Sequence, residues 1–451
     1  MTVIEAQAPV ATGRDVEELL RAGGFSRFHR KAVLVTGAAW TFVAMEILLV
    51  GFVQTIFTAK WNLNGTWAGL INSSALAGSL FGSLVLGRLA DRIGRRTIFQ
   101  YAILWYAVFT ALTAVAWGPW SVMTLRFLAG IGLGGMLVVD PSMLAEYLPP
   151  QRRGRMLVFL DFWWPIGLLL ATGLSWLYIG RGIGGADSWR WLFLTASFPA
   201  FLTFVVRRTL PESPYYLART GRTDEAARVL TEITGRPVAP GDIEVADQTR
   251  SSIRELFTRA LARTDAMMIG VWVALNISYY GFFLWLPFTL SGAKYFQNHI
   301  YLLLTLSALS QFPGYAGYAA AIWLVERIGR KPTLAAFLLL GGLSGYAFAA
   351  ADSSSMYVIS LFFVGFFNLG AWGAVYPYTS ELFPTRVRSS AFGLLEGVGK
   401  GAAIAGPYIF GNLSDATGGT FWPLTFVALV MAGGGIVAAL LGRETRGRKL
   451  L

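Results

Sequence analysis

The sequence predicts an all-α membrane protein of twelve transmembrane helices, in two pseudo-symmetric six-helix bundles with both termini cytoplasmic. Three observations predict it. Apolar residues make up 55% of the 451-residue chain and charged residues only 14%, against roughly 25% charged in soluble domains. Long apolar stretches recur, and twelve helices of about 20 residues would use about 240 residues. Two separate motifs recur at one common spacing. This composition excludes disorder, which needs low hydrophobicity, and argues against nucleic acid as a partner despite a net charge of +12. No cysteine is present, so disulfides and thiolate metal sites are excluded. His29 and His299 are the two histidines and stand too far apart in sequence to suggest a metal site. No metal or cofactor is expected.

The elements follow in order. Residues 1–31 are polar and read as a cytoplasmic tail, not a cleaved signal. Asp15 to Leu20 could form a short amphipathic surface helix or remain a solvated tail. The first bundle, 32–208, holds apolar stretches near 33–57, 66–86, 98–117, 122–145, 156–178 and 191–206. A polar cytoplasmic linker spans 209–265, and Thr223 to Gly235 within it reads as a short exposed helix. The second bundle, 266–442, holds stretches near 267–291, 301–325, 333–351, 356–378, 390–412 and 421–441, and 443–451 form a cytoplasmic tail. Of 37 Lys and Arg residues, 31 fall in the tails and the loops on their side, 4 on the opposite side (Lys60, Arg181, Arg190 and Lys294), and Arg126 and Lys400 inside helices. That bias puts both termini and the linker in the cytoplasm. The basic balance therefore sets topology, and attraction to anionic lipid is secondary.

The repeat is carried by short motifs. Gly87-Arg-Leu-Ala-Asp91-Arg92-Ile-Gly94-Arg95-Arg96 lies between the second and third stretches, and Glu326-Arg327-Ile-Gly329-Arg330-Lys331 between the eighth and ninth. Asp91 to Glu326 is 235 positions. Glu146, Pro149 and Arg153 after the fourth stretch recur as Glu381, Pro384 and Arg388 after the tenth, again 235 positions on. One offset for two motifs implies duplicated six-helix halves with a cavity between them, which is transporter architecture.

These motifs resemble the major facilitator superfamily of transporters. The Gly87–Arg96 segment is similar to that family's loop signature. Pro211-Glu212-Ser213-Pro214 and Glu444-Thr445-Arg446-Gly447 resemble the sugar porters. Tyr378-Thr-Ser-Glu381-Leu-Phe-Pro384 and Tyr279-Tyr280-Gly281 look more like organic-ion transporters and synaptic-vesicle-glycoprotein relatives. Gly24-Phe25-Ser-Arg27-Phe28 resembles bacterial metabolite:proton symporters. The resemblance implies a cytoplasmic gate built from Gly87, Asp91, Arg92, Gly94, Arg95, Glu146, Arg153, Glu326, Arg327, Arg330, Glu381 and Arg388. In it, Asp91 would pair with an arginine or cap a helix of the other half, and Glu146 and Glu381 would pair with Arg153 and Arg388. The bland alternative is that such arginines only fix topology.

Charges inside membrane helices are costly, so each is a functional candidate. Glu46 lies in the first helix, where aromatic-acid symporters often show Asp-x-x-Asp; Val43 replaces the first acid. Glu46 is a candidate proton or substrate site, or else a carboxyl pinned to a neighbouring helix; Arg126 is its tuning partner, and Asp140, nearly four turns beyond Arg126 on the same face, is a proton or gate residue or has a local structural role before Pro141. Asp161 falls where sugar porters carry a ligand-binding glutamine; it could bind a cation, accept a proton or pair with Lys400. Lys400 lies seven residues before Pro407, where the resemblance to organic-anion transporters implies an arginine. It could hold a carboxylate or be neutralised by Glu396 at i, i+4. Asn368, Trp372 and Tyr376 step by four along the tenth helix, and Asn276, Tyr280 and Phe283 share a face of the seventh. With Trp164 they make candidate walls for a flat organic ion.

The expected function is a secondary transporter of a small organic anion, such as an aromatic or heterocyclic carboxylate, working by alternating access with proton coupling. A sugar, polyol or organic-cation carrier and a non-transporting sensor of the same build are the alternatives. No nucleophile–base pair suggests an enzyme. The expected partners are a small substrate, protons and the bilayer of the cell membrane, with the monomer as the working unit.

Overall fold

The computed structural model describes residues 14–244, 257–258, 261–293, 299–383 and 388–446. Lys294, Pro384 and Gly447 lie outside the described residues, as does the side chain of Arg388. The tail helix α1 (Val16–Gly23) precedes the bundle. The first half then runs through α2 (Arg27–Trp61), α3 (Gly65–Ile93), α4 (Arg95–Thr113), α5 (Pro119–Tyr147), α6 (Pro150–Asp161), α7 (Trp164–Ser175), α8 (Ser188–Ala196) and α9 (Leu202–Thr209). Two linker helices follow, α10 (Pro214–Arg219) and α11 (Thr223–Thr234). The second half comprises α12 (Ala262–Phe283), α13 (Leu286–Gly292), α14 (Ile300–Leu309), α15 (Phe312–Arg327), α16 (Arg330–Ala349), α17 (Ser354–Leu382), α18 (Arg388–Thr417) and α19 (Phe421–Leu441). A two-residue parallel bridge joins Arg14–Asp15 to Ile243–Glu244.

Prolines explain the broken helices. Pro165, Pro287 and Pro313 stand in the first turn of α7, α13 and α15, and Pro199 in the 3-10 turn before α9. A proline in a first turn loses no intrahelical bond but ends the helix before it. Among the described residues, nine helices are long and apolar enough to cross a membrane. The other three predicted stretches fall on α4, which opens with two arginines, on the α14–α15 pair split before Pro313, and on α18, which carries Glu396 and Lys400.

The halves repeat each other in packing. In the first, α3 lies on α5, α4 on α5 and α2 on α7; in the second, α15 lies on α17, α16 on α17 and α12 on α18. The 235-residue offset also appears in the backbone. Gly94 and Gly329 both start a helix with positive φ, +112° and +108°, a region that favours glycine. An added Cβ at either would also strike a carboxylate, Glu212 at Gly94 and Glu444 at Gly329.

Two sequence expectations are refined here. The tail does form a helix, α1, with Val16, Leu19 and Leu20 buried on one face. α11 is amphipathic and docked: it buries Ala226, Ala227, Leu230 and Ile233 and packs against α1. It ends at Gly235, in the left-handed region at φ +70°.

Candidate functional site

A cavity lies between the halves, with about 700 Å3 of empty space when its opening to solvent is included. The first half contributes Trp40 from α2, Leu76 and Ser79 from α3, Leu137 from α5, Asp161 from α6 and Trp164 from α7. The second contributes Asn276, Tyr279 and Tyr280 from α12, Tyr318 from α15, Leu369, Trp372 and Tyr376 from α17, and Glu396, Lys400 and Ala403 from α18. The aromatics form connected walls. Trp40 and Trp164 meet edge to face at 5.7 Å, and Trp372 and Tyr376 both pack edge-on against Trp272, each at 5.8 Å. The Trp164 Nε1–H donates to the Tyr279 hydroxyl at 2.5 Å, tying one half to the other.

The charges in this cavity are poorly partnered. Lys400 is 6% exposed, and its ammonium has no hydrogen-bond acceptor among the described residues. Its nearest carboxylate, Glu396 Oε1, is 3.8 Å away and largely solvated. The Trp40 indole N–H approaches the Asp161 carboxyl without reaching hydrogen-bond geometry. Asp161 makes no ion pair with Lys400 among the described residues, so that sequence alternative is not realised.

Seven of the eight predicted substrate-binding residues come together at the cavity: Lys400, Asp161, Tyr376, Trp372, Asn276, Tyr280 and Trp164. Asn368 does not. It is fully buried and turned into the second half, where its Nδ2 donates to Ser278 Oγ at 3.0 Å and approaches Met431 Sδ at 3.7 Å. Leu369 takes its place on the wall. Phe283 is likewise buried away from the cavity. Sequence reasoning missed Trp40, Tyr279 and Tyr318 and treated Glu396 only as a neutraliser. The repeat offset would have flagged two of the liners. Asp161 plus 235 is Glu396, and Leu137 plus 235 is Trp372.

The predicted proton residues sit elsewhere, sealed inside the first half. Arg126 Nη1 pairs with Glu46 Oε1, and its Nη2 donates to the Glu46 carbonyl oxygen at 2.9 Å. Thr110 Oγ1 donates to Glu46 Oε1 at 2.7 Å. Both charged side chains are fully buried, and neither lines the cavity, so Glu46 is placed where it cannot touch a ligand there. Asp140 is buried too, and neither of its carboxylate oxygens has a hydrogen-bond partner among the described residues.

The motif charges form two matching clusters, each inside one half. In the first, Arg95 bonds Asp91 at 3.3 Å and Glu146 at 2.7 Å, while Glu212 accepts from the Arg96 amide at 3.1 Å. In the second, Arg330 bonds Glu326 at 3.3 Å and Glu381 at 3.0 Å, while Glu444 accepts from the Arg330 and Lys331 amides. Each helix N-terminus is thus capped by a carboxylate of its own half. This corrects the expected pairings. Asp91 pairs with an arginine, Arg95, one of its two expected options, and makes no bond to the other half among the described residues, while Glu146 takes Arg95 in place of Arg153. Arg153 instead lies 3.8 Å from Glu17 and contacts the Tyr215 hydroxyl. Arg92 and Arg327 contribute backbone carbonyls that accept from Tyr216 and Arg446, and Gly87 faces Val138.

The halves meet most closely at the face opposite these clusters. There the Asp415 carboxylate of α18 accepts from the Gly65 and Thr66 amides and the Thr66 hydroxyl at 2.6–2.7 Å. Ser73 Oγ donates to the Ile404 carbonyl at 2.7 Å. Among the described residues no hydrogen bond or ion pair joins the halves at the cluster face.

Comparison with known proteins agrees with this architecture. Residues 51–451 match the family model described as sugar (and other) transporter. The niacin transporter NiaP of Acinetobacter baylyi is 35% identical over 94% of this chain and 96% of that protein. The putative niacin/nicotinamide transporter NiaP of Bacillus subtilis is 31% identical over 94% of this chain and 98% of its own. The xylose transporter XylE of E. coli, in a partially occluded inward-open conformation, superposes with a TM-score of 0.76 at 19% identity, covering 94% of this chain and 100% of that one. These relatives are transporters, not enzymes. The chain belongs to the sugar (and other) transporter family of the major facilitator superfamily, and it has the fold of that superfamily.

Proposed function

We propose that this protein is a proton-coupled carrier of a small heteroaromatic monocarboxylate, of the kind represented by niacin. It would work as a monomer in the cell membrane, with twelve spans and both termini cytoplasmic. The observation that carries this reading is Lys400: a buried ammonium without a hydrogen-bond acceptor, in an aromatic-walled cavity. An unpaired buried charge is costly, and a substrate carboxylate would complete it. Trp40, Trp164, Trp372 and Tyr376 supply flat surfaces for the ring. The two relatives named for niacin share this substrate chemistry.

Alternating access follows from the two faces. With the termini cytoplasmic, the Asp415 contacts close the outer face, and the cavity would communicate with the cytoplasm. The two arginine–carboxylate clusters stiffen each half and stand ready to meet across the cytoplasmic face when the halves rock. Glu46 and Arg126, with Asp140 nearby on α5, are the proposed proton machinery. They are remote from the ligand, so coupling would act through the packing of α2 and α5. A sugar or polyol carrier is the second reading. It is favoured by the two acids, Asp161 and Glu396, that line the cavity with one lysine.

The test is uptake into proteoliposomes driven by an inward-acid pH gradient. Nicotinate flux that collapses on dissipating the gradient supports the proposal. Xylose flux in place of nicotinate flux favours the second reading, and binding without flux identifies a sensor.

A further inference from the structure

Lys400 accounts for the carboxylate of a heteroaromatic acid but not for its ring nitrogen. We propose that Asp161 recognises that nitrogen through a shared proton, so that one proton enters the cavity with each substrate anion. This inference rests on the heteroaromatic-carboxylate reading above and specifies how that site selects its ligand.

The argument starts from charge. The cavity is lined by two acids, Asp161 and Glu396, and one base, Lys400. A bound anion would leave three negative groups facing one positive group around the cavity, and although Glu396 is partly solvated, uncompensated charge in the enclosed part of the site is expensive. A proton taken up with the anion restores the balance of the empty site. Position decides where that proton goes. Asp161 comes from α6 in the first half and Lys400 from α18 in the second, so the two reach the cavity from different halves. A flat ring between them offers its carboxylate to one and its far side to the other. Glu396 sits one turn from Lys400 on the same helix, 3.8 Å from its ammonium, and so belongs to the carboxylate end.

The chemistry at the far end needs a hydrogen. A pyridine nitrogen carries a lone pair, and an ionised carboxylate is acceptor-only. Two acceptors repel unless a proton lies between them, on the carboxyl oxygen or on the ring nitrogen. The other elements supply no cation in its place. From α2 the neutral Trp40 indole faces Asp161; α5 presents Leu137 and α3 presents Leu76 and Ser79. The facing groups on α12, α15 and α17 are the tyrosines Tyr279, Tyr280, Tyr318 and Tyr376. Among the described residues, Glu396 and Lys400 are the charged groups that α18 presents to the cavity. On α6 itself the arginines are Arg152, over the Phe25 ring, Arg153, engaged with Glu17, and Arg155, six residues before Asp161 and exposed; none of them lines the cavity.

Nicotinate, benzoate and nicotinamide separate the two ends of this site. Benzoate keeps the carboxylate and lacks the nitrogen; nicotinamide keeps the nitrogen and lacks the charge. Titration calorimetry of the full-length detergent-solubilised protein, in buffers of differing ionisation enthalpy, counts protons bound with each ligand. Expected for the wild type, at pH high enough that Asp161 is ionised in the empty site, are one proton per nicotinate, none per benzoate, and nicotinate affinity rising by up to about tenfold per pH unit of acidification. Asp161→Asn, which preserves shape, should abolish proton uptake while its amide N–H still donates to the ring nitrogen, and Asp161→Leu, which has no donor, should abolish uptake and bring nicotinate and benzoate to similar affinity. Nicotinate binding to the wild type without a proton overturns the inference and leaves the carboxylate reading intact. So does proton uptake that persists in Asp161→Asn and vanishes in Glu46→Gln. Failure of the wild type to bind either acid overturns the carboxylate reading and this inference together.

Discussion

The chain buries ionisable groups in two contrasting ways. Inside the first half, Glu46 and Arg126 form a direct ion pair, with Thr110 and a main-chain carbonyl adding bonds, although Glu46 Oε2 and Arg126 Nε have no hydrogen-bond partner among the described residues. Between the halves, Lys400 has only Glu396, 3.8 Å away, and no hydrogen-bond acceptor among the described residues, while Asp161 has no cation paired with it among them. The contrast teaches that burial alone does not mark a ligand site. Incomplete pairing beside open space does, because the missing partner has somewhere to sit. Only the first half carries the sealed pair: the positions 235 residues beyond Glu46 and Arg126 are Gly281 and Leu361. The cavity acids, by contrast, obey the repeat, and Lys400 breaks it.

The comparison breaks first at Arg126. Arg126→Ala strands Glu46 in a fully buried position and should cost about 3–5 kcal/mol of stability, the usual penalty for removing one partner of a buried pair. Thermal unfolding in detergent measures it. Replacing both residues by Leu should recover most of that loss; no recovery would mean that packing, not charge, is what Arg126 provides. Lys400→Ala should behave in the opposite sense. Stability should stay within about 1 kcal/mol of wild type or rise, since an unpaired buried ammonium is removed. Nicotinate affinity should fall by more than about tenfold, or about 1.4 kcal/mol. A large stability loss without an affinity loss would move Lys400 into the structural class.

Much of this arrangement was legible in the sequence, and the misses have geometric causes. Lys400 and Asp161 stood out because charge is rare in apolar helices. Asn368 was misplaced because a step of four residues turns the helix by about 400°, so two steps drift about 80° from Tyr376. Leu369, Trp372 and Tyr376 step by three and then four and return to one face. Trp40, Tyr279 and Tyr318 carry no charge to single them out among many aromatics. The gate pairings were read too locally: Arg153 is closer in sequence to Glu146, but Arg95, from a different loop, is the one that packs beside it. Asn368→Ala tests the corrected placement. It should cost about 1 kcal/mol of stability, the usual worth of one hydrogen bond, and leave ligand affinity unchanged by calorimetry. An affinity loss would return Asn368 to the site.

Asp415 sharpens the contrast by adding a third case, a charge whose partners are satisfied but belong to the other half. Its three bonds to Gly65 and Thr66 cap the start of α3 from α18, a favourable place for an anion. Breaking them should not unfold either half, because nothing within one half depends on them. The cost should fall on the balance between conformations. Asp415→Asn removes the charge and weakens the cap by about 0.5–1 kcal/mol, which shifts that balance about two- to fivefold toward the form open at this face. The absence of native cysteines makes the measurement clean. A single cysteine at Ser73, whose hydroxyl bridges to Ile404 at the same seam, should react with an impermeant maleimide that much faster in the Asp415→Asn background. Equal labelling rates would show that glycine packing at Gly65, Gly69 and Gly411 closes the seam unaided, and that the Asp415 charge is a cap without a latch.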